Sequence, residues 1–321
     1  MKHDLLIAEF FSTPWALMPE RLAAFTSIMQ RWQAGINATP DIMASISADK
    51  DIRAARKQDV ARAGQGDSIA VLPFYGVVTQ RGNMADDLSG TGATSTQKFT
   101  AALRQALQDP SIGAILIDID SPGGSVYGVG ELANEIMGSR SQKPIIGLAN
   151  SLAASAAYWV GAACSELYVT PGGEVGSIGV WQAHEDWSKA MDDAGVKTTL
   201  ISAGKYKTEG HPYAPLDAEA QAFIQSRVED YYAAFTQGVA KGRGVSVDAV
   251  RKDFGQGRVY GAQAALSAGM VNGVLTFDDV VKKMGKDLKA AQRANTNTLH
   301  STTTATPSRL ASAQRDLAML A

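Results

Sequence analysis

The run Gly113-Ala-Ile-Leu-Ile-Asp-Ile119 restricts the fold of this chain more than any other part of it. Both alternating faces of the run are apolar, which a strand with one side in water does not tolerate. It therefore predicts a buried central strand in a sheet covered by helices on both faces. The flanking pattern supplies those helices and further strands. Residues 68–73 and 76–79 are short β-rich runs, and 94–109 predicts a helix carrying Phe99, Leu103 and Leu107, stopped by Asp109-Pro110. After the central strand come the turn Ser121-Pro-Gly-Gly-Ser125, a helix with Val129, Leu132 and Ile136, a strand at 144–149, and an Ala-rich helix near 153–163. Strands at 167–170 and 176–180, a helix at 185–194 closed by Gly195, and a strand at 196–202 follow. A polar loop through Pro215 leads to a long helix that starts on its cap Asp217, runs to Ala240, and is striped by Ile224, Val228, Tyr232, Phe235 and Val239. Repeated β-α-β units of this length imply right-handed crossovers and an α/β domain.

The two ends read differently. Residues 17–34 predict an amphipathic helix with Pro19 in its first turn and Leu22, Phe25, Ile28, Met29 and Trp32 at helical spacing, ended by Gly35. Residues 37–67 hold few large apolar side chains and read as a linker, which places a boundary near Gly66. Past Lys282 the apolar periodicity fades into the Thr/Ser/Asn tract Asn295–Thr306, which predicts a flexible tail, with one weak helix at Arg309–Ala321. The chain thus divides into an N-terminal helical segment and linker (1–66), a core (67–282) and a polar tail (283–321).

Composition excludes several classes. The chain has 321 residues, 45% of them apolar, enough for one sizeable core. Its 30 Lys and Arg against 32 Asp and Glu give no general reason to expect a nucleic-acid partner. Cys164, the single cysteine, cannot form an internal disulfide. No stretch approaches the roughly 20 apolar residues of a membrane span. The run Leu5–Phe11 is broken by Glu9 and soon meets Pro14 and Pro19, so the expectation is a soluble, cytoplasmic chain without a membrane partner.

Three segments carry candidate chemistry. The glycine turn Ser121–Ser125, at the end of a buried strand, presents backbone N–H groups where ligands of open α/β sheets bind. Two such donors aimed at one oxygen would stabilise the oxyanion of acyl transfer by roughly 3–4 kcal/mol each. An ordinary strand-to-helix turn has the same composition. In Ala153-Ala-Ser155-Ala-Ala-Tyr158 one hydroxyl stands among small residues at the start of a helix, where the N–H of Ala156 is a second donor. Tight helix packing also selects such a serine. The loop Gly204-Lys205-Tyr206-Lys207-Thr208 offers two lysines. A lysine activates a hydroxyl only when burial keeps its amine neutral, and spacing alone does not choose between Lys205 and Lys207. Of the histidines inside the core, His184 and His211, the latter lies beside Pro212 and reads as a turn histidine rather than a general base. No metal-ligand spacing and no phosphate loop is found, so no metal and no cofactor are expected.

Taken in order, Ser-Pro-Gly-Gly at 121–124, Ala-Ala-Ser at 153–155, Gly-Ser-Ile-Gly-Val at 176–180 and Gly-x-x-Lys at 204–207 resemble the signal peptide peptidase A (S49) family of serine proteases. The resemblance covers residues 68–280. It implies a Clp protease/crotonase-like spiral of β-β-α units and a homo-oligomer whose serine and lysine can come from neighbouring subunits. It makes Ser155 the nucleophile, Lys207 the general base, Ser177 the residue that orients that lysine, and Gly123 and Gly124 part of the oxyanion hole. Pro14-Trp-Ala-Leu-Met-Pro-Glu20 and Lys207-Thr-Glu-Gly-His-Pro-Tyr213 resemble the phage-encoded branch, head maturation proteases of the lambda-like minor capsid protein C type. That branch implies capsid or scaffold proteins as substrate and the prohead in the bacterial host as location. Three rivals are a cellular protease that degrades leftover signal peptides, a crotonase-like acyl-CoA enzyme, and a capsid component with an idle dyad.

Overall fold

A computed structural model describes residues 10–19, 68–81 and 93–304, with the backbone alone for 295–304. The chain runs through β1 (Trp15–Leu17), β2 (Ser68–Tyr75), β3 (Val78–Thr79), β4 (Thr94–Ser95), α1 (Thr96–Gln108), β5 (Ile112–Ser121), β6 (Gly123–Ser125) and α2 (Val129–Ser139). It continues with β7 (Ile145–Ala154), α3 (Ala156–Ala162), β8 (Glu166–Val169), β9 (Glu174–Gly176), α4 (Ser188–Asp193) and α5 (Ala218–Arg243). Last come α6 (Val247–Asp253), β10 (Val259–Gly261), α7 (Ala262–Ser267), β11 (Gly273–Val274) and α8 (Phe277–Thr304).

The expected central strand is β5, which pairs in parallel with β2 on one side and β7 on the other. Its alternation sends Ala114 and Leu116 to one face and Ile115, Ile117 and Ile119 to the other, and none is more than 2% exposed. The second set packs with Phe99 and Leu103 of α1, Leu132 and Ile136 of α2, Tyr158 of α3 and Phe235 and Val239 of α5. The first set packs with Val280 and Met284 of α8. Helices on both faces explain why the strand has no polar side, and truncating one of its isoleucines to alanine should cost about 2–5 kcal/mol.

Where β7 leaves the middle of the sheet it forks. Ile146–Ala149 pair with β8, and Leu152–Ala154 pair with β9, both in parallel. Ser151 is the pivot, with φ 111. The antiparallel strand β10 closes the β9 edge, and β11 extends β8. A smaller sheet in the order β1, β6, β3, β4 stands at the carboxyl end of β5.

Several elements differ from the sequence reading. Residues 196–202 form no strand: among the described residues they pair with no strand, and Val196, Leu200 and Ile201 are 48%, 41% and 96% exposed. The helix expected at 185–194 is shortened to α4, and of residues 176–180 only Gly176 belongs to a strand. Helix α5 starts on its Asp217 cap as expected, with the side chain accepting from the Ala220 N–H at 2.8 Å. Its stripe is buried only from Phe235 onward: Ile224 and Val228 in the amino-terminal half are half-buried, covered in part by the loop that holds Gly210. The flexible tail expected after Lys282 is instead helix through Thr304. Val280, Met284 and Leu288 recur at helical spacing against Leu116, Ile146 and Tyr168, and Lys283 reaches Glu166 at 2.9 Å. At the amino end, Leu17, where the helix at 17–34 was expected to begin, is instead the last residue of β1. Residues 20–34 of that expected helix, the linker, and the terminal helix at 309–321 lie outside the described residues.

Candidate active site

Strand β7 ends at Ala154 and α3 begins at Ala156, so Ser155 is the whole of the turn between them. The reversal forces φ 55 and ψ −120 on it, a conformation that costs a non-glycine residue about 1–3 kcal/mol and is held only where surrounding structure over-determines it. Here the Ser155 N–H donates to the Gly176 carbonyl of β9 at 2.7 Å, and its carbonyl accepts from the Trp159 N–H at 3.0 Å. Ala153, Ala154, Ala156 and Ala157 are fully buried around it, and their small side chains let strand and helix close at this angle. Ser155 itself is 1% exposed, and among the described residues its Oγ has no hydrogen-bond partner. A buried hydroxyl left in that state costs about 1–3 kcal/mol, which marks it as kept for something other than stability.

The glycine turn faces this serine. A Cβ on Gly123 would lie 2.9 Å from Ser155 Cβ, and Gly123 has φ 94, so the position excludes any side chain. A Cβ on Gly124 would lie 2.0 Å from the Val78 carbonyl oxygen, since β3 pairs directly against it. The two glycines are therefore required by close approach of the chain's own backbone. Their N–H groups are engaged in the resting chain. That of Gly123 donates to Ser121 Oγ at 3.2 Å, while the same hydroxyl donates to the Gly76 carbonyl at 2.6 Å. Ser177 follows Gly176, the residue that anchors Ser155. It is 5% exposed with φ 54, and its N–H donates to the Arg258 carbonyl at 2.8 Å.

The lysines are not at this serine. Lys205 and Lys207 stand on a segment, residues 179–219, in which no side chain is buried. Lys205 bonds Glu219 at 2.8 Å and the Tyr206 hydroxyl at 2.7 Å, and the hydrogen bond to the Glu219 carboxylate holds its amine above the ordinary lysine range. An amine so stabilised in its charged form is a poor base. Lys207 makes no side-chain bond among the described residues, and within one chain it does not reach Ser155 Oγ. His184 and His211 bond within the same segment, His184 Nε2 with the His211 carbonyl at 3.2 Å and His211 Nδ1 accepting from the Tyr213 N–H at 3.1 Å. Neither histidine approaches the serine hydroxyl either.

Two features escaped the sequence reading. Buried Asp118 of β5 accepts a hydrogen bond from the Tyr75 hydroxyl. Strand β1 lies antiparallel on β6 beside Ser155, with Leu17 opposite Gly123, Ala16 opposite Gly124 and Trp15 opposite Ser125. The available signal was the pair of prolines, Pro14 and Pro19, that brackets a short apolar run and favours extended backbone before each of them.

Residues 138–291 match the sequence pattern of peptidase family S49. The chain is 35% identical over 229 residues to the head-tail preconnector protein GP5 of Enterobacteria phage P21, which covers 71% of this chain and 45% of that protein. It is 34% identical over 247 residues to the capsid assembly protease C of Escherichia phage lambda, covering 77% of this chain and 54% of that protein. It is also 27% identical over 227 residues to the chloroplastic serine protease SPPA of Arabidopsis thaliana, covering 70% of this chain and 33% of that one. The chain thus spans about half the length of the two phage relatives. Among the described residues no helix is long and apolar enough to cross a membrane. The serine, the glycine turn and the shared sequence converge: the part of the chain that carries Ser155, residues 138–291, has the sequence pattern of peptidase family S49.

Proposed function

We propose that this chain is a serine endopeptidase that works through a Ser155–Lys207 dyad on capsid or scaffold proteins of a phage prohead. The observation that carries the reading is the Ser155 hydroxyl, buried, held on strained backbone and without a hydrogen-bond partner among the described residues. Lys207 takes the hydroxyl proton as Oγ bonds to the scissile carbonyl carbon, and the carbonyl π electrons move onto oxygen. Backbone N–H groups of Ala156 and of the Gly123-Gly124 turn hold that oxyanion. On its collapse the C–N bond breaks, the leaving amine takes the proton from Lys207, and water repeats the sequence on the acyl-enzyme.

Lys207 is chosen over Lys205 because Lys205 is committed to Glu219. The amine must be brought to Ser155 and desolvated there, and in this reading Ser177, one residue from the Ser155 anchor, orients it. A second copy is the natural source of that desolvation. The segment that carries Lys207 also exposes Trp187, Val196, Leu200 and Ile201, apolar surface that association would cover. Assembly in a Clp protease/crotonase-like spiral fold, in the host cytoplasm, belongs to the same reading. The capsid substrate rests on the name of the lambda relative, capsid assembly protease C.

The test is co-expression with a head precursor. Wild type and Lys205→Ala should process it and bind a fluorophosphonate covalently at residue 155, whereas Ser155→Ala and Lys207→Ala should do neither. Equal processing by wild type and Lys207→Ala would remove Lys207 from the mechanism, no processing by either would leave the chain a structural component, and processing without labelling at residue 155 would remove the serine.

A further inference from the structure

The slot beside Ser155 is already filled by the chain's own residues 14–18, and they fill it as a peptide would. On one side β1 pairs antiparallel with β6: the Val126 N–H donates to the Pro14 carbonyl at 3.3 Å and the Met18 N–H to the Pro122 carbonyl at 3.1 Å. Antiparallel alternation makes the pair between them, Ala16 and Gly124, a hydrogen-bonded one, so the Gly124 N–H is directed at the Ala16 carbonyl. On the other side the Trp15 N–H donates to the Trp181 carbonyl at 2.8 Å, the Trp181 N–H donates back at 3.0 Å, and the Trp181 indole N–H donates to the Leu17 carbonyl at 2.8 Å.

The segment lies against the reacting serine. The point where a Gly123 Cβ would stand is 2.3 Å from the Ala16 carbonyl oxygen and 2.9 Å from Ser155 Cβ, so these two atoms flank one spot. Trp15, Ala16 and Leu17 are 2%, 0% and 1% exposed. Nothing else extended can enter between β6 and Trp181 while they are there. Phe11 and Ser12 before the segment, and Gln182 after Trp181, line a cleft of about 510 Å³ together with Trp187, Tyr206 and Phe223, which gives a displaced segment or an incoming chain a path to the slot.

We propose that residues 14–18 are an intrasteric strap: they occupy the substrate slot, keep Ser155 closed in the resting chain, and must be displaced before a substrate binds. The strap also states what the slot takes, an extended peptide paired antiparallel to β6 with a small side chain at the Ala16 position, which is fully buried. The inference rests on the assignment of Ser155 as nucleophile only for its consequence, since occupancy of the slot is independent of chemistry.

The probe is a fluorescein-labelled peptide of the sequence Ser-Thr-Pro-Trp-Ala-Leu-Met-Pro-Glu, added to the full chain as wild type and as the strap-weakened variant Trp15→Ser/Leu17→Ser. The variant should bind it at least about tenfold more tightly than wild type. A peptide with Trp in place of the Ala should compete at least about tenfold less well. Fluorophosphonate labelling at residue 155 should be faster in the variant and slowed again by unlabelled peptide. Peptide binding as expected with no labelling of either protein would sustain the strap and overturn the nucleophile. Fast labelling of wild type that the peptide does not slow would overturn the strap. Should the variant not fold, hydrogen exchange on wild type decides: the amides of residues 15–17 should exchange faster under saturating peptide, and unchanged exchange overturns the proposal.

Discussion

Replacing Ser155 by alanine should abolish activity and make the protein more stable at the same time. The serine hydroxyl is buried with no hydrogen-bond partner among the described residues. Its removal recovers the desolvation penalty of about 1–3 kcal/mol that an unsatisfied hydroxyl carries. The lost volume is one oxygen atom, and the fully buried alanines around it already pack closely, so the cavity term is small. For a domain of this size each kcal/mol moves Tm by about 2–4 °C, which places the expected rise at about 2–12 °C. Turnover of a peptide substrate should fall by at least about a thousandfold, the scale of losing a covalent nucleophile. A Ser155→Gly variant separates two contributions. It releases left-handed strain of about 1–2 kcal/mol but loosens the unfolded chain by about 0.5–1 kcal/mol, so it should melt at or slightly above the alanine variant. Calorimetry of the three proteins at equal concentration is the assay. A Ser155→Ala protein that melts at or below wild type would mean that the hydroxyl has a partner after all, and the argument for a poised nucleophile would fail.

Three further outcomes can be measured. Gly124→Ala puts a methyl group 2.0 Å from the Val78 carbonyl oxygen, so β3 and β6 must separate; near-ultraviolet circular dichroism should show a chain destabilised by several kcal/mol, and an unchanged melt would refute that packing. Met284→Ala should cost about 2–4 kcal/mol, because the side chain is 3% exposed against the β5 face, and a neutral melt would restore the flexible-tail reading. Burial pushes the Cys164 thiol up to about 12 from an ordinary 9.0, so the folded chain holds that proton longer than the unfolded one. The stability this contributes is complete below pH 9 and declines as pH rises toward 12. A thiol reagent at pH 8 should therefore modify Cys164 only after denaturant is added, and rapid modification of the native protein would contradict the burial.

The parts of the fold that were legible in the sequence are those in which pattern and packing agree. The run at 113–119 announced its double burial because every second residue on each face is apolar, and Asp217 announced a cap because the hydroxyl- and carboxylate-bearing residues compete for free helix N–H groups. The glycine turn and Ser155 were legible as a pair because close backbone approach leaves few residue types open. The 196–202 run failed for the opposite reason: Val196, Leu200 and Ile201 have the composition of a strand, but no strand among the described residues pairs with them. Residues past Lys282 failed because α8 buries only the narrow stripe Val280, Met284 and Leu288, and the charged residues between them hide it. Strand β1 was missed because pairing on both sides, more than the weak signal of its bracketing prolines, makes Trp15–Leu17 extended. The relation of Lys207 to Ser155 lay beyond either reading of one chain, since the loop that carries the amine has no buried anchor.

The fork in β7 fixes a length. Between Ala149, the last residue to touch β8, and Ser155 stand five residues, and they must cross from one neighbouring strand to the next before the reversal. Strand side chains alternate in direction, so an insertion or deletion of a single residue there would turn the hydroxyl to the opposite face of the sheet. The branch in the sheet therefore acts as a ruler: it admits wide change in the sequence that fills those five places and almost none in their number.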